Sequence, residues 1–341
     1  MKSFAGLATL GMAAAVLSGL VPSQYAHAQT SSEIRYATSA PPNTVWAMQV
    51  ERMVKIASES SGGAFKINAF LNSQLGSEQD TIQQVARGRI DMGGYSVAAV
   101  ALLVPELALA TMPFLFKDTT EQDCVYDNHL TKITSELLAK KGVQFLSWSH
   151  VGVSHIIGKK PFLKPEELSG MKARSSPTKL APYMWLGFGA NPNPMPVTEW
   201  TAAHQSGLVE VADSGMTFYM FSGLNKVAPV VTLTGHVDAG GIVVINKAAY
   251  DKLPDTAKKA MLQTTIDAPA ALLRKEVREF ETKLIGLHKS QGGNIVELSP
   301  EQREVWRKGM TTAWPKMVEA IGGESNQYWK VIQDGIKACA K

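Results

Sequence analysis

The chain has 341 residues, 45% of them hydrophobic and 19% charged, with a formal net charge of +4 at neutral pH. This composition excludes a disordered chain and supplies enough apolar residues for two domains of ordinary size. The small positive balance, without clustered Lys and Arg, excludes a nucleic-acid surface and suits a small anion. Lys2, an apolar and small-residue run over 4–21, and Ala26-His27-Ala28 read as a secretory signal peptide cleaved after Ala28. No later apolar run approaches the roughly 18 residues that a spanning helix needs, so the mature chain is expected to be soluble and exported.

From there the elements alternate. A strand is predicted over 33–37, and a helix over 44–60 with Asn43 as its cap and Gly62-Gly63 beyond its end. A strand over 65–70, a helix over 78–87 capped by Ser77, and a strand over 90–95 follow. This β-α-β-α-β order predicts a parallel sheet with helices on its faces. The apolar stretch 97–112 is expected to pack over that sheet. A helix over 131–141 and a buried strand over 143–148 lead toward a second domain. His150 and His155 are five residues apart, which is a poor metal spacing. Cys124 and Cys339 are free to pair in an oxidising compartment, but two positions do not establish a bond, and two separate thiols is the default reading.

The stretch 164–196, KPEELSGMKARSSPTKLAPYMWLGFGANPNPMP, has the plan of a small α/β unit. A helical turn at 165–168 and a strand over 171–175 precede a helix over 177–186, with Pro177 in its first turn and Pro182 disturbing its middle. Arg174 then stands near the carboxyl end of a strand, the edge at which open α/β sheets bind ligands. A guanidinium there is suited to a carboxylate, which it can hold through two parallel hydrogen bonds. A helix over 199–207 and the segment 208–214 come next. Strands are predicted over 227–233 and 240–246, the first an edge strand because of Pro229. A long helical pattern runs from Pro254-Asp255 to about Gln291, kinked at Pro269, and further helices cover 300–320 (interrupted at Pro315) and 326–340.

Gly170-Met171-Lys172-Ala173-Arg174 followed by Gly189-Ala190-Asn191-Pro192-Asn193-Pro194-Met195-Pro196 closely resembles the signature of the DctP family, the substrate-binding proteins of tripartite ATP-independent periplasmic (TRAP) transporters. Asn72-Ser73-Gln74-Leu75-Gly76, Pro113-Phe114-Leu115-Phe116 and Thr234-Gly235-His236 match further family motifs in the family's order. The resemblance runs from about Ile34 to Gln291. It implies an α/β fold made of a two-domain periplasmic solute-binding clamp, with crossing segments and a long helix along both domains. The expected division is 29–151 with 240–279 as domain I and 152–239 with 280–341 as domain II, the ligand cleft lying between them.

The resemblance also implies Arg174 as the carboxylate anchor. The family's ligand-binding Asn falls on Ser214, within Val209-Glu210-Val211-Ala212-Asp213-Ser214. In the sialic-acid-binding branch a second Arg occupies the position of Ser154 and an aromatic that of Val197, so sialic acid is not the expected ligand. Gly240 and Gly241 are expected to leave side-chain volume empty beside the ligand, or to permit a bulge. Tyr95 and Trp46, near strand ends, are candidate flat walls, with core packing as the alternative for each. Ser96 and Ser214 are candidate partners for a hydroxyl or keto oxygen.

These residues together predict a monocarboxylate ligand with a fairly large, partly apolar or aromatic body, delivered to TRAP permease membrane subunits by clamp closure in the periplasm. A monomer is expected, and the action requires no metal or cofactor. Glu210 and Asp213 are the nearby carboxylates that keep a co-bound cation open. Two alternatives remain: a ligand-sensing partner of a receptor, sharing the same fold, and a periplasmic enzyme. Against the enzyme stands the lack of a G-x-S-x-G elbow, an H-E-x-x-H pair or a P-loop.

Overall fold

The structure is a computed structural model that describes residues 32–340. The signal peptide and its cleavage site lie outside the described residues.

Among the described residues nine strands form one sheet: β1 Ser32–Thr38, β2 Phe65–Phe70, β3 Met92–Ser96, β4 Val143–Gly158, β5 Lys172–Ser175, β6 Asn191–Pro194, β7 Val211–Ser214, β8 Val230–Asn246 and β9 Asn294–Val296. Their spatial order is β2-β1-β3-β8-β4-β7-β5-β6, with β9 also on β8. The β-α-β-α-β reading of the first 100 residues holds, since β1 pairs in parallel with both β2 and β3.

Two long antiparallel strands, β4 and β8, join the halves of the sheet. The first part of β4 and the last part of β8 lie beside β3. The last part of β4 and the first part of β8 lie beside β7 and β9. The two predicted strands over 227–233 and 240–246 are therefore one 17-residue strand. Three register shifts, at Phe145/Ser147, His150/Gly152 and Ser154/Ile156, interrupt its pairing with β4 without ending it. Nor is its first part an edge: Pro229 precedes the strand, and β9 and β4 flank it. The prolines of β6 are tolerated because that strand is the true edge.

Caps decide several helix boundaries. The helix Val45–Ser60 is capped by Thr44, whose hydroxyl accepts from Ala47 N at 3.3 Å; the expected cap, Asn43, sits one residue earlier at φ 62°. Ser77 caps Glu78–Ala86 as expected. The helix predicted over 177–186 starts later, at Ala181–Gly187, because Pro182, lacking an N–H, belongs in a first turn. The long pattern from 254 to 291 is two helices, Asp255–Asp267 and Ala270–Ser290. Pro269 ends one and caps the next instead of kinking a continuous helix, which its ring and missing N–H forbid.

The structure corrects the reading of two separate thiols. Cys124, on the helix Thr119–Val125, is bonded to Cys339, on the helix Ser325–Cys339, across 215 positions of sequence and with 6.0 Å between Cα atoms. No helix among the described residues is long and apolar enough to cross a membrane.

Candidate functional site

Arg174 is the last residue but one of β5 and is held from behind. β5 pairs in parallel with β6, setting Arg174 against Asn193. The chain after β6 then brings the Met195 carbonyl to the guanidinium, where Nε donates at 3.1 Å and Nη2 at 2.9 Å. The guanidinium carbon lies 5.4 Å from the ring centre of buried Trp200. Only 5% of Arg174 is exposed, yet among the described residues no carboxylate lies within 4 Å of it. Burial lowers its pKa, while the fields of Asp213 and Glu78 pull it back up.

The free edge of Arg174 lines a cavity of about 710 Å³, including its solvent-open part. Ser96, Ser154, Asp213 and Gly240 line it too, so four of the predicted site residues meet: Arg174, Ser154, Ser96 and Gly240. Gly240 is there for another reason than the one expected. A Cβ at this position would lie 2.7 Å from Tyr126 Cε1, so the volume it leaves is taken by Tyr126, not held open for a ligand. The alternative role, permitting a bulge, fits better: Gly240 pairs with His150, beside the shift between His150 and Gly152.

Ser96 also lines a second cavity, of about 830 Å³ with its open part, whose walls include Tyr36, Trp46, Tyr95 and Phe218. Trp46 and Tyr95 are thus both core and wall: each is buried, and each faces this space. Trp46 donates its Nε1–H to His150 O at 3.0 Å and lies 4.7 Å from the Phe218 ring. The predicted aromatic walls therefore stand in the compartment next to the guanidinium, with Ser96 common to the two.

Ser214 and Val197 line neither cavity. Ser214 is buried at the end of β7 and its hydroxyl donates to Gly215 O at 2.9 Å. Val197 packs against the cluster containing Trp200 and Tyr219. Of the two carboxylates considered for a cation, Asp213 lines the Arg174 cavity, while Glu210 accepts from Lys172 N at 3.0 Å.

Glu78 was read only as the first residue of a helix. It lines the aromatic cavity and accepts from Ser96 N at 3.1 Å and Ser96 Oγ at 2.9 Å. Burial raises its pKa against those hydrogen bonds and the Arg174 field. Its position directly after the Asn72–Gly76 motif was the available signal.

The buried histidines of β4 and β8 stand beside polar groups of the same strands and their neighbours. His150 Nε2 is 2.9 Å from Asp238 Oδ1, and His155 Nδ1 accepts from Gly235 N at 3.0 Å. His236 Nε2 lies 3.7 Å from Asp213 Oδ2. Burial, with His236 and Arg303 adding, pushes His155 down to about 3.

Residues 36–320 match the family described as bacterial extracellular solute-binding protein, family 7, DctP. A solute-binding protein of Verminephrobacter eiseniae is 29% identical over 278 residues, 80% of this chain and 81% of that protein. The solved TRAP periplasmic solute-binding protein of Sulfurospirillum deleyianum, with bound succinate, is 27% identical at a TM-score of 0.81, covering 89% of this chain and 99% of that one. The sugar-acid-binding protein of Advenella mimigardefordensis, in complex with galactonate, is 24% identical at a TM-score of 0.85, covering 91% and 99%.

Proposed function

Because the chain belongs to the DctP family, family 7 of the bacterial extracellular solute-binding proteins, we propose that it captures an organic monocarboxylate with a large, partly apolar or aromatic body. It is a substrate-binding protein of the TRAP type, from a periplasmic family that binds organic acids without converting them and works with TRAP membrane subunits. The signal peptide is removed after Ala28, and the mature chain acts as a monomer.

One observation carries the reading: a buried guanidinium with no carboxylate within 4 Å among the described residues. A buried charge without a partner is costly, and a ligand carboxylate relieves the cost through charge-assisted hydrogen bonds. Two donations are already committed to Met195 O, which fixes the fork and leaves its Nη1 side for the ligand. The body of the ligand extends past Ser96 toward Trp46 and Tyr95, with Ser154 available to a hydroxyl or keto oxygen.

A second carboxylate is disfavoured. Asp213 lines the same cavity, and both Asp213 and Glu78 act on Arg174 electrostatically. Ser154 supplies no charge, and Lys179 lines neither cavity, its Nζ reaching Ile321 O at 3.5 Å. An unpaired second anion in a closed cleft is expensive.

Capture proceeds by closure of residues 29–151 with 240–279 against 152–239, and the C-terminal helix, which the expected division gave to the second domain, stays with the first because Cys339 is bonded to Cys124. The register shift between His150 and Gly152, opposite Gly240, supports a hinge at those boundaries. Ligand shifts the population toward the closed state that the permease recognises.

Titration calorimetry with an aromatic 2-hydroxy acid and with succinate tests the ligand class. Tighter binding of the aromatic acid is expected. Tighter binding of succinate, the ligand in the Sulfurospirillum structure, would overturn the monocarboxylate reading and point to another cation reaching the cleft.

A further inference from the structure

The helix Ala270–Ser290 turns an unusual stripe toward the core: Arg274, Glu281 and His288 are buried along with Leu273, Val277 and Leu284. Each polar member holds a different element. Arg274 meets Asp123 Oδ1 at 3.0 Å and also pairs with Asp127, both near the disulfide. His288 Nε2 lies 3.1 Å from Tyr219 Oη and 3.0 Å from Pro229 O.

Glu281, between them and 5% exposed, meets backbone. Its Oε2 accepts from Val153 N at 2.7 Å and its Oε1 from Thr217 N at 3.4 Å. The surroundings are shaped for it. A Cβ at Gly152, where φ is +124°, or at Gly215 would collide with the carboxyl group. The location matters as well. The β4–β7 ladder runs from Gly158/Val211 to His155/Ser214 and stops there. Glu281 bridges the two backbones just beyond that last pair, where the register of β4 against β8 shifts on both sides, at His150/Gly152 and Ser154/Ile156.

We propose that Glu281 is a positioning residue for ligand capture: a carboxyl clasp that ties Val153 to the start of the helix Met216–Phe221 and so fixes Ser154 and Asp213 at the wall of the Arg174 cavity. Val153 directly precedes Ser154, and Gly215–Thr217 directly follows the strand that carries Asp213. Without the clasp, two segments that share no ladder bond at this point move independently, and the geometry facing the guanidinium loosens. Burial pushes Glu281 up to about 8, with Asp238 adding, against the N–H donors of Val153, Thr217 and Met216. The clasp needs two acceptor oxygens for its two N–H donors, and a Gln amide supplies one. The proposal rests on the reading that the Arg174 cavity is where ligand binds.

Amide hydrogen exchange of the unliganded mature protein tests it. Glu281→Ala is expected to speed exchange at Val153 and Thr217 by about tenfold or more, while β1 and β2 keep their protection. Glu281→Gln, which retains one carbonyl acceptor and turns an NH2 toward the other N–H, is expected to restore protection at Val153 or at Thr217 but not at both. Gly215→Ala, which displaces the carboxyl without removing it, should expose Val153 in the same way. Unchanged exchange in Glu281→Ala, equal acceleration throughout the chain, or full protection at both positions in Glu281→Gln would overturn the proposal. Failure of both Glu281→Ala and Gly215→Ala to fold would also overturn it, assigning Glu281 to stability alone. Because no ligand is present, failure here is distinguishable from failure of the carboxylate reading, which calorimetry decides separately.

Discussion

The two compartments that meet at Ser96 are built by opposite means. In one, a single buried guanidinium is held by a backbone carbonyl and an aromatic face, with Asp213 nearby and no close counter-ion among the described residues. In the other, Tyr36, Trp46, Tyr95 and Phe218 surround a space whose one charged lining group is Glu78. A charge-based anchor gives orientation and is sensitive to one atom's displacement, whereas an apolar wall gives affinity in proportion to the area covered and tolerates varied shapes. The pairing suits a ligand fixed at one end and loosely specified at the other.

The two sides also differ in how they are secured, and the largest expected effect exploits this. The Cys124–Cys339 bond staples the C-terminal helix to Thr119–Val125, just before Tyr126, whose ring abuts Gly240. Replacing both cysteines by Ser should cost about 2–5 kcal/mol of stability. Denaturant melts of the oxidised and double-Ser proteins check this. Coincident melts would show that the staple adds nothing to the packed helices.

Next comes the anchor. Arg174→Ala should weaken carboxylate binding by about 1.5–3 kcal/mol, and Arg174→Lys should recover only part of it because the planar fork is lost. Wild-type affinity in both variants, measured by calorimetry with the best acid from a thermal-shift screen, would remove Arg174 from the site.

Acid should separate the strands behind the anchor from the aromatic side. His155 lies on β4 in the Arg174 half, with its pKa pushed down to about 3 by burial, His236 and Arg303. Between about 3 and the ordinary value near 6.5, the unfolded chain binds a proton that the native imidazole refuses. Stability from this group is therefore complete above about 6.5 and falls as pH drops through that window, by up to roughly 1.4 kcal/mol per pH unit. His155→Gln should flatten that slope in melts taken from pH 7 to 4. An unaltered slope would mean that other groups carry it.

The smallest effect concerns the aromatic wall. Trp46→Phe keeps a ring but loses the hydrogen bond to His150 O, costing about 0.5–1.5 kcal/mol of stability. Its affinity loss should be larger for an aromatic acid than for succinate. Equal losses for the two would place Trp46 outside the region the ligand body reaches.

Much of the architecture was legible along the chain. Ser77 as a cap, the alternation up to β3 and the placement of Arg174 at a strand end all depend on residues within a few positions of one another. Chemistry at that range is written in the sequence: a hydroxyl before a helix, glycines after it, a basic side chain before a turn. Errors arose where a local signal had two uses. Pro182 and Pro269 each looked like a disturbance inside a helix, and each proved to stand at a helix start. Gly240 looked like empty space for a ligand and serves Tyr126.

The sequence by itself therefore determined secretion-type patterning, the limits of several helices and the motif order that marks the family. Only the tertiary structure decided that Cys124 meets Cys339, that β8 runs unbroken beside β4, and that Trp46 and Arg174 line separate compartments joined at Ser96. The physical reason is range. Capping and periodicity act over one turn of chain, whereas a side chain's neighbours in a sheet depend on strand order and register. A carboxyl such as Glu281 reads as one more charge on a helix until β4 and the helix that follows β7 arrive, from over a hundred and from over sixty residues away, to meet it.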